Sequence, residues 1–266
     1  ESRRDCIDID APARKLARHT LGQSDHSIVE RVAGEREYPV LKGIDFEIEA
    51  GDFVGIMGRS GCGKTTLLKI MGTLDQPTKG KICYGDTDVR RLRAEELALL
   101  RRNRIGFVFQ DYQLMDKLTV EENIMLPMVL DQMRYRDMKA VVDENAHLLG
   151  LSALLKKYPY ELSGGEKQRV AIARAIANDP DIIFADEPTG NLDLPSARTI
   201  MDCFAEINQD RHKAIVMVTH DPLVAGCCRK IFFLADGVVS EICERGVGQS
   251  QADFTEGIRA RLQVVF

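Results

Sequence analysis

The sequence predicts an α/β fold built around a mixed β-sheet. Short apolar runs that are typical of buried strands recur along the chain, at 53–57, 105–109, 182–185, 214–218 and 231–234. Residues 195–208 have a helical pattern and separate two of these runs. A helix in that place is what the crossover between two parallel strands requires, so the pattern indicates a parallel β-α-β unit.

Length and composition place the chain among globular proteins. Its 266 residues are enough to bury a large apolar core, and 44% of them are hydrophobic and 29% charged. No segment approaches the roughly 18 consecutive apolar residues that a bilayer crossing needs, so we expect no membrane span. The net charge of −5 argues against a protein that coats nucleic acid, and no nucleic-acid partner is expected.

The cysteines and the beginning of the chain bear on the compartment. The seven cysteines are an odd number and none is in a C-x-x-C pair, so neither a disulfide framework nor a zinc site is expected. The chain does not begin with a basic and then apolar leader, which favours the reducing cytosol. Residues 1–27 are polar without a clear period, and we interpret them as an extension.

The first structural elements are expected between residues 40 and 72. Residues 40–54 alternate apolar and polar side chains around a turn at Ala50-Gly51-Asp52, which predicts an antiparallel hairpin. The apolar run 53–57 then passes through glycines into 64–72, where apolar residues recur at helical spacing. The sequence therefore predicts a strand, a glycine-rich loop and a helix in succession.

The remaining elements are mainly helical. Residues 120–155 have a helical pattern with breaks near Pro127 and at Gly150. Another helix is predicted from Ser163 to Ala177, because Asn178-Asp179-Pro180 stops it. Residues 241–266 are predicted to form a helical tail.

The loop after the run 53–57 fits a phosphate-binding loop. Its residues are Gly58, Arg59, Ser60, Gly61, Cys62, Gly63, Lys64 and Thr65, followed by Thr66. Backbone N–H groups and the positive end of the helix can surround the phosphates of ATP. The Lys64 ammonium can then reach the β and γ oxygens, and the Thr65 hydroxyl can ligate Mg²⁺. A chance glycine-rich turn is the alternative, and the flanking elements argue against it.

Cys62 lies inside this loop. We expect its thiol to be partly exposed beside the nucleotide and biased toward the thiolate by the positive surroundings. Alkylation of Cys62 should therefore block ATP binding, and ATP should protect the thiol.

The buried run 181–187 ends in two carboxylates. Asp186 is predicted to hold Mg²⁺, and Glu187, on the other side of the strand end, to polarise the attacking water. The alternative is a strand that ends in a solvated acidic turn. Kinases, GTPases and helicases also combine a phosphate loop with an acidic strand end, so this pair leaves the class open.

A second anion-binding segment separates these classes. Its residues are Leu162, Ser163, Gly164, Gly165 and Glu166, with Ser163 at the start of a helix and two glycines that expose N–H groups. The chain already has one cradle for the β and γ phosphates. A second cradle is useful if it binds the γ-phosphate held by another copy, so the segment predicts a homodimer with ATP between the copies.

With these motifs and three others, the chain resembles the nucleotide-binding domain of ABC transporters over residues 40–239. The other motifs are Gln110 in Phe107-Val108-Phe109-Gln110, the turn Gly190-Asn191-Leu192-Asp193, and His220 in Val218-Thr219-His220-Asp221. The resemblance implies that Gln110 senses Mg²⁺ and the water and that His220 contacts the γ-phosphate. It also implies that Ser163 and Gly165 touch the opposite ATP and that Asp193 links the two sites. Outside this pattern, Gln110 and Asp193 would be ordinary polar loop residues and His220 a polar cap.

The resemblance also implies the architecture and the partner. The fold of the family is that of P-loop NTPases, with a RecA-like mixed sheet, an antiparallel β subdomain and an inserted α-helical subdomain, here at about 111–162. We place the ATPase domain at 28–240, between the extension and the helical tail. The implied partner is an integral membrane permease, which would hold the chain as a peripheral protein on the cytoplasmic side of the cell membrane.

Two positions depart from the family pattern. Glu166 stands where the motif often has Gln, and its negative charge beside a phosphate cradle puts a contact role in doubt. The family usually has an aromatic residue about 30 positions before the lysine to stack on adenine, and residues 30–34 contain none. Tyr38 is the candidate substitute, and a simple strand-edge tyrosine is the alternative.

Residues 107–127 resemble one branch of the family, the macrolide exporters and lipoprotein-release ATPases. The likeness is strongest to cassettes of bacterial peptide-antibiotic resistance and sensing transporters. It implies a permease with a large extracytoplasmic domain, and peptides such as bacitracin as what is exported or sensed. The alternatives are an ATPase that drives transmembrane signalling, lipoprotein release or cell-division regulation, and a soluble ABC ATPase of DNA repair or translation.

The region after Gln110 is where such cassettes meet the permease. Its apolar residues suit an adaptable contact surface, although half of them could instead be core of the helical part. They are Met115, Leu118, Ile124, Met125, Leu126, Met128, Val129 and Met133.

Overall fold

The computed structural model describes residues 15–19, 28–33 and 36–265. Its strands, in chain order, are β1 (Lys15–His19), β2 (Ile28–Ala33), β3 (Arg36–Lys42), β4 (Phe46–Glu49), β5 (Phe53–Met57), β6 (Cys83–Tyr84), β7 (Thr87–Asp88), β8 (Ile105–Val108), β9 (Ile182–Asp186), β10 (Ala214–Val218), β11 (Lys230–Ala235) and β12 (Val238–Glu244). Its helices are α1 (Lys64–Met71), α2 (Ala94–Arg104), α3 (Val120–Leu130), α4 (Tyr135–Leu148), α5 (Gly164–Ala175), α6 (Leu194–Arg211), α7 (Pro222–Ala225) and α8 (Gln251–Val265).

The central sheet has six strands in the spatial order β12-β11-β5-β10-β9-β8. β12 is antiparallel to β11, and the other neighbouring pairs are parallel. Helix α6 connects β9 to the adjacent parallel strand β10, so the predicted β-α-β crossover is confirmed. The predicted α/β mixed sheet is confirmed as well.

Each central strand alternates between two hydrophobic cores. In β5, Phe53 and Met57 face the core that contains α3, α5 and α6, whereas Val54 and Ile56 face the core that contains α1. All five residues of β5 and of β10 are buried. Burial on both faces explains why these strands are short continuous apolar runs in the sequence.

The predicted hairpin at 40–54 is wrong. β3 pairs with β2, β4 pairs with β1 in a separate antiparallel sheet of order β4-β1-β6-β7, and β5 joins the central sheet. The turn at Ala50-Gly51-Asp52 therefore connects two sheets rather than two paired strands. The physical reason is burial, because a strand that is apolar on both faces is stable only between two cores.

The expected polar extension at 1–27 also needs correction. Lys15–His19 forms β1, in register with β4 from Arg18↔Glu47 to His19↔Phe46, so this part of the segment belongs to the antiparallel sheet. At the other end, β12 runs across the predicted boundary at 240, and the helical tail begins only at Gln251.

The helical region contains one difference from expectation. Pro127 lies inside α3, which continues to Leu130, and the interruption before α4 comes at 131–134. The proline removes the hydrogen bond to the Asn123 carbonyl. Packing outweighs that loss, because Ile124 and Met128 on the same helix are fully buried. None of the described helices is both long and apolar enough to cross a membrane.

Candidate active site

The phosphate loop connects β5 to α1 at the carboxyl edge of the parallel strands. Gly61 and Gly63 have φ angles of 82° and 106°, in the left-handed region that favours glycine. At Gly63 a Cβ atom would also lie 2.7 Å from Leu41 Cδ2. Glycine at 63 is therefore required by both conformation and space, and the start of α1 carries no side-chain cap.

Lys64 is buried and lies against its own loop. Its ammonium donates to the carbonyl oxygens of Gly58, at 2.8 Å, and of Arg59, at 3.0 Å. These bonds fix the positive charge beside the start of α1, where backbone N–H groups are also directed. The loop thus concentrates donors and positive charge, as phosphate binding requires.

Two side chains that the sequence predicts as Mg²⁺ ligands meet where α1 approaches the end of β9. The Thr65 hydroxyl donates to Asp186 Oδ1 at 3.1 Å, across 121 residues of chain. Burial raises the pKa of Asp186, and the bond from Thr65 opposes that rise. A hydroxyl and a carboxylate together fit Mg²⁺, which uses one or two protein oxygens and completes its shell with phosphate and water.

Glu187 follows Asp186 and has an unusual backbone. Its φ is 46°, and a non-glycine residue in this region costs about 1–3 kcal/mol. The Glu187 N–H donates to the Val218 carbonyl at 3.0 Å, which holds the residue against β10. Both carboxylate oxygens lie 3.0 Å from Nδ1 of His220, so the structure brings these two predicted residues together.

Gln110 is exposed and contacts the turn before α6 instead of the Thr65–Asp186 pair. Its Nε2 donates to Asn191 Oδ1, and Asn191 Nδ2 donates back to the Gln110 carbonyl, both at 3.3 Å. Gly190 lies directly beside this pair. Asn191 was part of a recognised motif, but no pattern in the sequence indicated its contact with Gln110.

Residues 162–166 begin helix α5 with a capping box. Ser163 Oγ accepts from the Glu166 N–H at 3.3 Å, and the Glu166 carboxylate accepts from the Ser163 N–H at 2.7 Å. This N–H bond lowers the pKa of Glu166. Glu166 therefore has a structural partner, and its charge is already directed at a backbone donor.

The two glycines of this segment allow close packing around it. A Cβ at Gly164 would lie 3.0 Å from Tyr112 Oη, and one at Gly165 would lie 3.1 Å from Ser196. Asp193 caps the neighbouring helix α6, with Oδ1 accepting from the Ser196 N–H at 3.3 Å. The start of α5 thus packs against the start of α6 within one copy of the chain.

A cavity of about 550 Å³ lies beside the phosphate loop. Its lining residues are Pro39, Val40, Lys42, Arg59, Ser60, Gly61, Cys62, Ala235, Asp236 and Gly237. The side chain of Tyr38, the candidate for stacking on adenine, lies outside the described residues. That assignment stays a prediction.

The expected thiolate character of Cys62 is wrong. The thiol is half-buried, and burial raises its pKa above the ordinary value of 9.0. The positive charge of Lys64 acts in the opposite direction but is the weaker influence. Cys62 is therefore mainly a neutral thiol at physiological pH.

Comparisons with known proteins agree with this geometry. A family model described as ABC transporter matches residues 41–190. An uncharacterized ABC transporter ATP-binding protein of Bacillus subtilis (strain 168) is 45% identical, over 81% of this chain and 83% of its own length. The bacitracin export ATP-binding protein of Halalkalibacterium halodurans is 42% identical, over 84% of this chain and 90% of its own length. The lipoprotein-releasing system ATP-binding protein of Aquifex aeolicus is 46% identical, over 78% and 92%.

The fold is also similar to solved structures. The ATP-binding cassette MJ0796, in a dimeric post-hydrolysis state bound to ADP and Pi, matches with a TM-score of 0.78 and 37% identity. The match covers 87% of this chain and 100% of that one.

Proposed function

The chain belongs to the ABC transporter family as an ATP-binding and ATP-hydrolysing subunit, and we propose that two copies enclose Mg-ATP and drive a separate membrane permease. The observation that carries the proposal lies at the edge of the central sheet. There the Thr65–Asp186 and Glu187–His220 pairs stand at the ends of the adjacent strands β9 and β10, next to the phosphate loop.

The loop residues Gly58 to Thr66 bind the phosphates. Backbone N–H groups and the Lys64 ammonium neutralise the β and γ oxygens, and the adenosine extends into the cavity that begins at Pro39. Thr65 and Asp186 would hold Mg²⁺, and Gln110, which bonds to Asn191 in this structure, would become a further ligand when the ion binds. When bound, the ion neutralises charge that develops on the phosphates.

Hydrolysis depends on Glu187, which we assign to polarising the attacking water. His220 contacts the γ-phosphate and, through its bond to both carboxylate oxygens, sets the direction of the Glu187 side chain. Phosphoryl transfer leaves little covalent work for protein groups, so placement of charge and water supplies the acceleration.

The second half of each site comes from the other copy. Residues 162–166, with Ser163 and Gly165 in contact, would clamp the γ-phosphate of the opposite ATP, and Asp193 would link the two sites. The support is the helix start at Ser163, which offers an anion site, together with the dimeric state of the similar cassette MJ0796.

A groove next to the Gln110 loop supports the permease as the partner. Its volume is about 440 Å³, and it is lined by Ala98, Arg101, Arg102, Ile105, Gly106, Phe107, Phe109, Leu126, Pro127, Leu130, Arg174, Ala175 and Asn178. Aromatic and aliphatic side chains with guanidinium groups suit an amphipathic helix that carries a carboxylate. We propose that a cytoplasmic helix of the permease docks here and holds the chain at the membrane.

The apolar residues that the sequence singled out divide into two sets. Ile124, Met125 and Met128 are buried, so they belong to the core. Met115 and Val129 are 53% and 52% exposed and remain available for contact. Leu118, Leu126 and Met133 are half-buried between these sets.

The cargo is proposed from the relatives. Likeness to a bacitracin export ATP-binding protein supports export of, or resistance to, antimicrobial peptides. The similarly related lipoprotein-releasing ATP-binding protein favours the alternative of lipoprotein release, and transmembrane signalling uses the same ATPase cycle.

Replacement of Glu187 by Gln tests the assignment. Because Gln keeps the shape but cannot accept a proton, we expect ATP turnover to fall by roughly 10²–10⁴-fold while ATP affinity is retained. Glu256→Gln, on the exposed face of α8, is the matched control and should turn over normally. Normal turnover by Glu187→Gln would refute the assignment.

A further inference from the structure

Arg174 lies in the last turn of α5, at the opposite end of this helix from Ser163. Its Nη1 donates to the Gln113 carbonyl at 2.6 Å, and its Nη2 donates to the Tyr112 carbonyl at 3.0 Å. The guanidinium is half-buried and forms no ion pair within the described residues. Burial accordingly lowers the pKa of Arg174. The Arg174 guanidinium thus binds two backbone carbonyls rather than neutralising a carboxylate.

The backbone that Arg174 holds is strained. Tyr112 and Gln113 are consecutive non-glycine residues with φ angles of 60° and 52°. Such conformations persist where surrounding contacts impose them. A guanidinium presents parallel N–H groups in a fixed fork, and two adjacent carbonyls turned to the same side match that fork.

The strained turn lies between two parts of the active site. Gln110 precedes it by two residues and is tied to Asn191. On the other side, the Tyr112 hydroxyl lies against Gly164 in the segment that would clamp the opposite ATP. The turn therefore contacts both the predicted metal-sensing residue and the predicted γ-phosphate clamp.

We propose that Arg174 is a positioning residue for ATP hydrolysis, which fixes the Tyr112-Gln113 turn and thereby the placement of Gln110 and of the segment 162–166. This inference rests on the proposed function, because it assigns a supporting role in the same site. Arg174 acts through the backbone of other residues and touches no reacting atom.

The role predicts a specific kinetic effect. The phosphate loop lies on β5 and α1, which Arg174 does not contact through these bonds, so ATP affinity should not depend on it. The placement of Gln110 affects the metal and the water. We therefore expect kcat and the Mg²⁺ requirement to depend on Arg174. Loss of a residue that orients metal ligands typically lowers activity about 10–100-fold.

The experiment compares Arg174→Met and Arg174→Lys with Arg211→Met. Arg211 is also a half-buried arginine in the last turn of a helix, α6, but it donates to Asn145 Oδ1 and pairs with Glu144, so it is a matched control. The measurements are kcat, the ATP dissociation constant, the Mg²⁺ concentration for half-maximal rate, and the melting temperature. We expect Arg174→Met to lower kcat at least tenfold and to raise the Mg²⁺ requirement, with ATP affinity within twofold of the wild type. Arg174→Lys should recover part of the rate, because an ammonium can donate to one of the two carbonyls.

Three outcomes would overturn the proposal. One is an unchanged kcat and Mg²⁺ requirement in Arg174→Met. Another is a loss of rate that accompanies an equal loss in Arg211→Met. The third is a loss of cooperative melting in Arg174→Lys, which would make the residue structural. If the wild-type protein itself does not hydrolyse Mg-ATP, the proposed function fails instead, so the two failures are distinguishable.

Discussion

The backbone conformation of Glu187 determines where its carboxylate lies. The left-handed φ of 46° is held by the bond from its N–H to Val218 and by its carbonyl, which accepts from the Gly190 N–H at 3.0 Å. Strand β10 thus sustains a conformation that would be unfavourable alone. The consequence is a carboxylate fixed beside His220, so the proposed action of Glu187 on water would need no prior reorganisation.

Cys62 offers a residue-level test of the electrostatics around the phosphate loop. Only the thiolate reacts with alkylating agents, and burial has raised the pKa of Cys62 above 9.0. We therefore expect slow modification at pH 7 and a rate that rises with pH to a midpoint above 9.0. The rate is measured by mass spectrometry of the peptide that contains Cys62, with and without Mg-ATP.

Mg-ATP should slow this modification, because the thiol lines the cavity beside the phosphate loop. Cys62→Ser provides the control for inhibition: reagent should stop ATP binding in the wild type but not in this variant. A midpoint near neutral pH, or equal labelling with and without Mg-ATP, would contradict the account.

The site residues that the sequence could predict are those that belong to local motifs. Lys64, Thr65, Asp186 and Glu187 could be proposed from the sequence because each proposed role is tied to a strand end or a helix start. Contacts between distant segments could not be predicted this way. Arg174 meets its two carbonyls across more than 60 residues, and Gln110 meets Asn191 across 81. Periodicity carries no information about such pairs.

At the scale of elements, strand positions were predictable but strand partners were not. Residues 40–54 alternate as half-buried strands do, yet β3, β4 and β5 pair in three different sheets. Pairing is decided by which cores a strand can cover, and that depends on distant segments. Pro127 shows the same limit, because the packing of α3 outweighs a local helix-breaking preference.

The loop before α3 gives a prediction for the permease contact. Buried Asn123 accepts from the Met115 N–H at 2.8 Å and donates to the Met115 carbonyl at 3.1 Å. These bonds fix the Met115 backbone, while the Met115 side chain is exposed. Met115→Glu should therefore keep basal ATPase within about twofold. We expect it to reduce the amount of membrane permease that co-purifies with the tagged chain from solubilised membranes, because a charge replaces apolar contact area.

Two comparisons make this result interpretable. Met125 lies on α3 and is only 7% exposed. Met125→Glu therefore places a charge in the hydrophobic core and should abolish ATPase activity and solubility together. Val247→Glu changes a fully exposed residue in the loop between β12 and α8 and should change neither property. If Met115→Glu retains full permease binding, Met115 is not part of the contact. If it behaves like Met125→Glu, the residue belongs to the core.

In the whole molecule, the central sheet and helix α5 carry different parts of the candidate site. The central sheet gathers the phosphate loop, Asp186, Glu187 and His220 at one edge. Helix α5 carries the segment 162–166 at one end and Arg174 at the other. A change of the Gln110 turn is thereby connected to the surface that would meet the second copy. This arrangement fits a subunit whose ATP state is transmitted to a partner, whether the output is export or signalling.

A homodimer with ATP between its two copies is tested by the molar mass of Glu187→Gln, measured by light scattering with and without Mg-ATP. We expect a monomer without nucleotide and a dimer with Mg-ATP, because slow hydrolysis preserves ATP between the two copies. Adding Lys64→Ala, which removes the ammonium of the phosphate loop, should keep the protein monomeric. A monomer at saturating Mg-ATP, with ATP binding demonstrated in the same sample, would contradict the account.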